Sequence, residues 1–263
     1  MIIELFGPPG SGKTTFAHAL ASHLRESGYK ANVMLSYQPN KQSNRFDRYG
    51  ILYFAYRIWA AFMHTTYTIA KSPIAQKEIS ISGCLVKTMP PSRIIWRIRL
   101  WQYIVNLSRY WDAAQKSEDI VIFDQGFVQA IGTLAIFNGA ANDALLSKAL
   151  DLAPEADFAI RLLAPRDVVE TRLRERMRHE PKAERLFEAK ISTNLNSFLI
   201  FDDVNRILSG TDRNILSIQP TDQASMKSCI AFVESIITDR LRGAGDMHAT
   251  VRMQVSDEIR AEV

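Results

Sequence analysis

A glycine-rich segment with one lysine and adjacent hydroxyls lies near the start of the chain. It reads GPPGSGKTT, which is Gly7, Pro8, Pro9, Gly10, Ser11, Gly12, Lys13, Thr14 and Thr15. Glycines let the backbone curl around an anion without a Cβ in the way, and curled amides together with a helix N-terminus attract phosphate. Lys13 would contact the outer phosphates, and the Thr14 hydroxyl would bind Mg²⁺. The segment fits G-x-x-x-x-G-K-[ST] in full and predicts a nucleoside-triphosphate site, with a plain strand-to-helix turn as the weaker alternative.

Asp124 is the second candidate, because it directly follows the apolar run Ile120-Val121-Ile122-Phe123. A carboxylate after a buried strand can hold Mg²⁺, directly or through water, opposite Thr14. Aspartate is also a good N-cap, so capping of the next helix is the alternative, and both roles are compatible. We predict a metal or base role for Asp124, because a phosphate-binding loop needs such a partner.

A third group of candidates is an arginine cluster, Arg172, Arg174, Arg176 and Arg178. On a helix Arg172 and Arg176 share one face, and Arg174 and Arg178 share another. We predict that residues 172–185 form a lid, in which the first pair binds the triphosphate and the second neutralises charge on the transferring group. The alternative is a solvated helix laced with ion pairs, since acidic residues are interleaved with the arginines.

A predicted long helix that starts after a Ser92 cap and ends near Lys116 carries arginines beside aromatic residues. Arginines in such a setting can grip an anionic acceptor that has a flat or sugar ring. A core helix whose arginines reach solvent along their stems explains the same pattern. The sequence leaves these two readings open.

Five apolar runs alternate with helical segments, which predicts an α/β fold with a five-stranded parallel sheet and helices on both faces. The predicted strands are 2–6, 31–36, 118–124, 158–163 and 214–218. Ligands of such sheets bind at the carboxyl ends of the strands, so the glycine-rich loop, Gln38 and Asp124 are expected on one rim. We predict one domain over 1–241 with a helical insertion at about 41–116, followed by a flexible polar tail at 242–263.

Composition restricts the class of protein. The chain has 263 residues, two distant cysteines and a formal net charge of +4. These values favour a reducing cytoplasm and are too weakly basic to indicate nucleic-acid binding. The aromatic stretch 49–70 is nearly long enough to span a bilayer, but Arg57 lies inside it, so we expect a core or interface helix and no stable membrane insertion. Whether the chain forms a homodimer is left open.

With these motifs the sequence resembles the thymidylate kinase-like branch of the nucleoside and nucleotide kinases, in element order over about 1–241. The resemblance implies an ATP-dependent, Mg²⁺-requiring kinase with a small-molecule acceptor. An arginine that grips the acceptor phosphate in the family has its nearest counterparts in Arg97 and Arg99. Where the family reads arginine-glutamate-proline this chain reads Tyr37-Gln38-Pro39, and where it reads aspartate-arginine this chain reads Asp124-Gln125.

The two glutamines, Gln38 and Gln125, change what the resemblance implies about the acceptor. Gln38 cannot act as the base that the family's glutamate provides, and Gln125 removes a charged phosphate ligand. We therefore predict that both glutamines bind the acceptor through amide hydrogen bonds. The acceptor is then expected to differ from dTMP and from ordinary nucleoside monophosphates.

Other classes of nucleotide-binding protein fit less well. Asn40-Lys41 continues as Gln42-Ser43 and so lacks the N-K-x-D pattern of a GTPase, and Asp124-Gln125-Gly126 is not a D-x-x-G switch. A nucleotide-binding regulatory module, or an NTPase that acts at a membrane through residues 49–70, is the alternative to a kinase.

Overall fold

The computed structural model describes residues 1–35, 75–179 and 191–261. Three sequence predictions therefore lie outside the described residues: Gln38, the aromatic stretch 49–70, and the end of the lid at 180–185. The chain divides into two compact units, Met1–Ile218 and Gln219–Val263. The sheet and the candidate site belong to the first unit.

A five-stranded parallel sheet forms the centre of the first unit, in the order β2-β3-β1-β4-β5. This confirms the predicted fold class. The strands are β1 Ile2–Phe6, β2 Ala31–Met34, β3 Ile120–Phe123, β4 Phe158–Leu162 and β5 Ile215–Ile218. Every residue of β1, β3 and β4 is buried, as expected for strands covered on both faces.

Eight helices connect and follow the strands in the described parts of the chain. Their bounds are α1 Lys13–Glu26, α2 Ala75–Thr88, α3 Ile94–Gln115, α4 Phe127–Asn138, α5 Asp143–Leu152, α6 Arg166–His179, α7 Ile191–Ser209 and α8 Gln223–Ala261. Within the described ranges, no helix is long and apolar enough to cross a membrane. Helix α8 continues beyond residue 241, where the sequence analysis places the start of the flexible tail.

The predicted cap of α3 was wrong. Arg93 occupies the N-cap position with extended backbone and makes no side-chain capping bond. Ser92 instead directs both its N–H and its hydroxyl to the carbonyl oxygen of Phe137, at 3.0 and 3.2 Å. A serine before a helix can cap it or can bond to another backbone group, and the sequence does not distinguish the two. Here Ser92 bonds to the end of α4.

Helix α4 lies against β1, and a buried carboxylate fixes its first turn. The N–H of Val128 donates to Glu4 Oε2 at 3.0 Å, while Gly126 at the N-cap position provides no side chain. A Cβ on Gly126 would come within 2.1 Å of Glu4 Oε2, so only glycine allows this approach. Burial raises the pKa of Glu4 to about 7, although bonds from the α4 backbone and the charge of Arg213 oppose that rise.

The other side of α4 contacts α7 without a spacing side chain. A Cβ on Gly132 would lie 2.4 Å from the Phe201 ring, and that ring is 6.5 Å from the ring of Phe6 on β1, between centroids. Gly132 therefore lets α7 approach the helix that supports the strand before the glycine-rich loop.

The first prediction concerns this close approach. Gly132→Ala should lower the free energy of unfolding by about 1–3 kcal/mol, because the new methyl group overpacks the contact with Phe201. Gly83 lies in the interior of α2, and a Cβ added there would meet nothing within 4 Å. Gly83→Ala is thus the matched control and should raise stability by about 0.5–1 kcal/mol through helix propensity. Urea unfolding measures both, and equal effects of the two substitutions would contradict the packing argument.

The second prediction concerns Glu4. Because its folded-state pKa is raised from 4.5 to about 7, the folded state binds the proton more tightly than the unfolded chain. Ionisation of Glu4 therefore lowers the free energy of unfolding. This loss is absent below pH 4.5, grows between pH 4.5 and about 7, and is complete above about 7, where it reaches on the order of 3 kcal/mol. Glu4→Gln cannot ionise and retains an oxygen for Val128. Relative to wild type, the variant should therefore gain stability in urea titrations as the pH rises from about 4.5 to about 7, and the difference should level off above that pH. A stability difference independent of pH would contradict the argument.

Candidate functional site

The glycine-rich loop has the curled backbone that its glycines predict. Gly7, Gly10 and Gly12 have φ values of +139°, +83° and +95°, a region that other residues rarely enter. A Cβ on Gly7 would also lie 2.5 Å from the carbonyl oxygen of Leu162 on β4. The N–H of Ser11 donates to Pro8 O at 3.2 Å and closes the curl. The loop then enters α1 directly, so its amides and the helix N-terminus adjoin each other.

Lys13 is buried and folded back onto the loop. Its Nζ donates to the carbonyl oxygens of Gly7 and Pro8, both at 2.9 Å. Burial lowers the pKa of Lys13 to about 7, while the nearby carboxylate of Asp124 acts in the opposite direction. Neutral carbonyls compensate a buried ammonium incompletely, and anionic phosphate oxygens would compensate it better. The geometry therefore suits a lysine that moves to an anionic ligand.

The structure brings Thr14 and Asp124 together. The Thr14 hydroxyl donates to Asp124 Oδ2 at 2.8 Å, although the two residues are far apart in the sequence. Asp124 is buried at 3% exposure, and its N–H donates to Met34 O at 3.2 Å. Gly126 occupies the N-cap position of α4, and Glu4 accepts the N–H of Val128 in its first turn. Capping by Asp124 remains the alternative to the metal role.

The oxygen pair of Thr14 and Asp124 fits a magnesium ion. Mg²⁺ prefers oxygen ligands and is usually held by one or two protein groups together with water and substrate phosphates. No group of three or more histidine, cysteine, aspartate or glutamate side chains gathers at one place within the described residues. The donor set therefore fits a metal shared with a triphosphate better than a metal enclosed by protein alone.

Two buried side chains near the loop were missed by the sequence reasoning. Gln129 on α4 accepts the N–H of Gly7 through Oε1 at 3.0 Å, and Glu4 caps α4 from β1. Each is a polar residue inside an otherwise apolar run. That pattern marks a buried polar group which needs a partner, but the partner is more than 120 residues away in both cases.

The arginine cluster separates into residues with different surroundings. Arg172 on α6 donates to Gly10 O at 3.2 Å and so adjoins the phosphate loop. Arg174 pairs with Glu170 one turn earlier at 2.7 Å and is 60% exposed, which is the arrangement of the ion-paired alternative. Helix α6 extends through Arg176 and Arg178, whose side chains lie outside the described part of the structure. The lid roles remain predictions.

A cavity of about 210 Å³ opens at the carboxyl ends of β2 and β3, next to Asp124. The described residues that line it are Met34, Leu35, Tyr103, Asn106, Leu107, Tyr110, Phe123 and Gln125. The Tyr103 hydroxyl donates to Gln125 O at 2.9 Å. Burial, and then the carboxylates of Asp124 and Glu4, raise the pKa of Tyr103, so it remains a donor. Gln125 was predicted to bind the acceptor, and that role remains a prediction; Tyr103 was not among the predicted site residues.

Three other predicted site residues lie elsewhere or make different contacts. The Arg97 guanidinium donates through Nε to Pro91 O at 2.6 Å. The Arg99 guanidinium carbon lies 5.1 Å from the centre of the Trp96 ring. Neither arginine is among the described residues that line the cavity. Thr15 is exposed on the first turn of α1. Acceptor binding by the two arginines remains a prediction.

Three solved structures of deoxyadenosine kinase from M. mycoides are similar to this chain, each at 13% sequence identity. The structure with products dCMP and a flexible dCDP has a TM-score of 0.48, with 91% of this chain and 100% of that chain covered. The structure with dCTP has a TM-score of 0.46 and the same coverage. The structure with dATP has a TM-score of 0.47, with 89% of this chain and 99% of that chain covered. A similarity of this degree supports no conclusion about the substrate of this protein.

A search of curated proteins gave no match to the chain. The family model described as AAA domain matches residues 2–199. That range contains the phosphate loop, Asp124, the cavity residues and four of the five strands. Since it covers well over half of the chain, the protein belongs to the AAA domain family of phosphate-loop proteins.

Proposed function

We propose that this protein is an ATP-dependent, Mg²⁺-requiring phosphotransferase that acts on a hydroxyl of a small-molecule acceptor. The observation that carries the proposal is the Thr14–Asp124 hydrogen bond of 2.8 Å. It joins the phosphate loop to a buried carboxylate directly beside a cavity. A donor site, a metal-binding pair and an acceptor space are thus adjacent, as in-line phosphoryl transfer requires.

Each residue of the site has a definite task in this proposal. Lys13 binds the outer phosphates, and the loop amides with the N-terminus of α1 hold the remaining phosphate oxygens. Thr14 and Asp124 would hold Mg²⁺, which would supply positive charge to the triphosphate. Arg172, already in contact with Gly10 O, is close enough to the loop to add a guanidinium. Catalysis then consists of positioning and charge neutralisation.

The cavity lining supports a neutral acceptor. The described residues around it combine apolar surfaces with amide and phenol groups, and none of these residues carries a positive charge. A monophosphate brings a dianion that needs fixed cations, for which arginine is best suited. Arg97 donates to a backbone carbonyl at Pro91. These contacts favour an acceptor that offers a hydroxyl and uncharged polar groups.

The third prediction tests the acceptor class. A phosphotransfer screen with γ-labelled ATP should include nucleosides, nucleotides, sugars and lipid head groups. We expect the label on a hydroxyl of a neutral compound, because the cavity offers amides and phenols rather than cations. Efficient phosphorylation of dTMP, dUMP, CMP, UMP or AMP, with kcat/KM above roughly 10⁴ M⁻¹s⁻¹, would contradict the neutral-acceptor assignment. Release of label to water alone, with every acceptor tested, would favour a regulatory NTPase.

The fourth prediction tests Asp124 with the acceptor found in that screen. Asp124→Asn should lower kcat by roughly 100-fold or more, because a metal ligand contributes several kcal/mol to transition-state stabilisation. The melting temperature should change little, since asparagine retains the shape and an oxygen for Thr14. Asp112→Asn is the matched control, because Asp112 pairs with Lys116 on the exposed side of α3. Its kcat should stay within about twofold of wild type. Equal losses of kcat in both variants, or a loss of stability alone in Asp124→Asn, would refute the metal role.

A further inference from the structure

We infer that Gln129 is a positioning residue that holds the first peptide of the phosphate loop in its triphosphate-binding conformation. It would not contact the ligand itself. The inference rests on the proposed nucleotide site, and it assigns a role to a residue on α4 that none of the loop motifs includes.

The contact is buried and specific. Gln129 Oε1 accepts the N–H of Gly7 at 3.0 Å, and the glutamine is 5% exposed. Gly7 itself has a φ of +139°, and its α-carbon faces the carbonyl oxygen of Leu162 so closely that a Cβ would come within 2.5 Å. The first peptide of the loop is therefore fixed between β4 on one side and the amide of Gln129 on the other.

Gly7 has a second contact that binding would change. Its carbonyl oxygen accepts Lys13 Nζ at 2.9 Å. If Lys13 moves to a triphosphate, Gly7 O loses this partner, while the bond from Gly7 N–H to Gln129 is unaffected. Gln129 is thus the side chain that can hold Gly7 in the same conformation before and after binding. A buried amide left without that acceptor is unfavourable, so its loss would favour other loop conformations.

The position of Gln129 is fixed by the first turn of α4. The preceding residue Val128 donates its N–H to Glu4 Oε2 at 3.0 Å, and this bond fixes the first turn of α4, which carries Gln129. The side chain is also the right chemical type. A neutral amide oxygen accepts a backbone N–H without adding negative charge beside a triphosphate, which a glutamate would do.

The test compares Gln129→Met with Thr133→Val. Methionine has a similar length but offers no strong acceptor. The valine substitution removes only the bond from the Thr133 hydroxyl to the backbone carbonyl of Gln129 and leaves the side-chain acceptor for Gly7 in place. Calorimetric titration uses two probes with Mg²⁺: ATP, and inorganic tripolyphosphate, which reports on the loop without any base or sugar. Gln129→Met should raise the Kd of both probes by the same factor, at least roughly tenfold. Thr133→Val should stay within about twofold. Wild-type affinity in Gln129→Met, or equal losses in both variants, would overturn the inference.

A measurement on the wild-type chain makes the result independent of how the variants fold. Amide hydrogen exchange by NMR should show Gly7 N–H protected to the same extent without nucleotide and with MgATP, because its acceptor is Gln129 in both states. A Gly7 amide that exchanges freely until MgATP is added would overturn the inference. If the wild type binds neither probe, the proposed nucleotide site fails as a whole. If it binds both and only the variant comparison disagrees, the role of Gln129 fails alone.

Discussion

A hydrogen bond of 2.8 Å from the Thr14 hydroxyl to Asp124 joins the segment that follows β1 to the segment that follows β3. It exists because β3 pairs directly with β1 in parallel, with Glu4 opposite Phe123. Both strands therefore end at the same edge of the sheet, where β1 is followed by the glycine-rich loop and β3 by Asp124. The proposed chemistry depends on this adjacency, since a metal shared by protein and triphosphate needs both oxygens at once.

Maintaining this arrangement requires buried polar groups in an otherwise apolar sheet. Glu4 is buried with a raised pKa, and Lys13 is buried with a lowered one. Both shifts show that burial disfavours the charged forms. Glu4 and Lys13 differ in their hydrogen-bond partners. Glu4 is bonded to the backbone of α4 and supports the turn after Asp124, whereas Lys13 is bonded to carbonyls that a phosphate would replace. The first is a structural support, and the second is suited to release on binding.

The sequence was sufficient for features that are local or periodic. Apolar runs separated by helical segments predict the parallel sheet, and the loop motif predicts a backbone that curls at its glycines. Asp124 could be predicted because strand ends meet at one edge. Contacts between distant residues could not be predicted, because spacing in one sequence does not reveal partners. Gln129 and Gly7, Glu4 and Val128, and Tyr103 and Gln125 are such pairs. The arginines of α3 show the same limit, since a one-residue change in helix register moves a side chain by about 100° around the axis.

The most direct measurement of the central claim is a crystal structure of the protein with a nonhydrolysable ATP analogue and Mn²⁺ in place of Mg²⁺. Our account predicts an anomalous peak beside the Thr14 hydroxyl, with Asp124 bound to the ion directly or through water. It also predicts that Lys13 Nζ leaves the Gly7 and Pro8 carbonyls for the outer phosphates. A bound analogue with the Thr14–Asp124 bond unchanged, Lys13 still on those carbonyls and the metal elsewhere would contradict it.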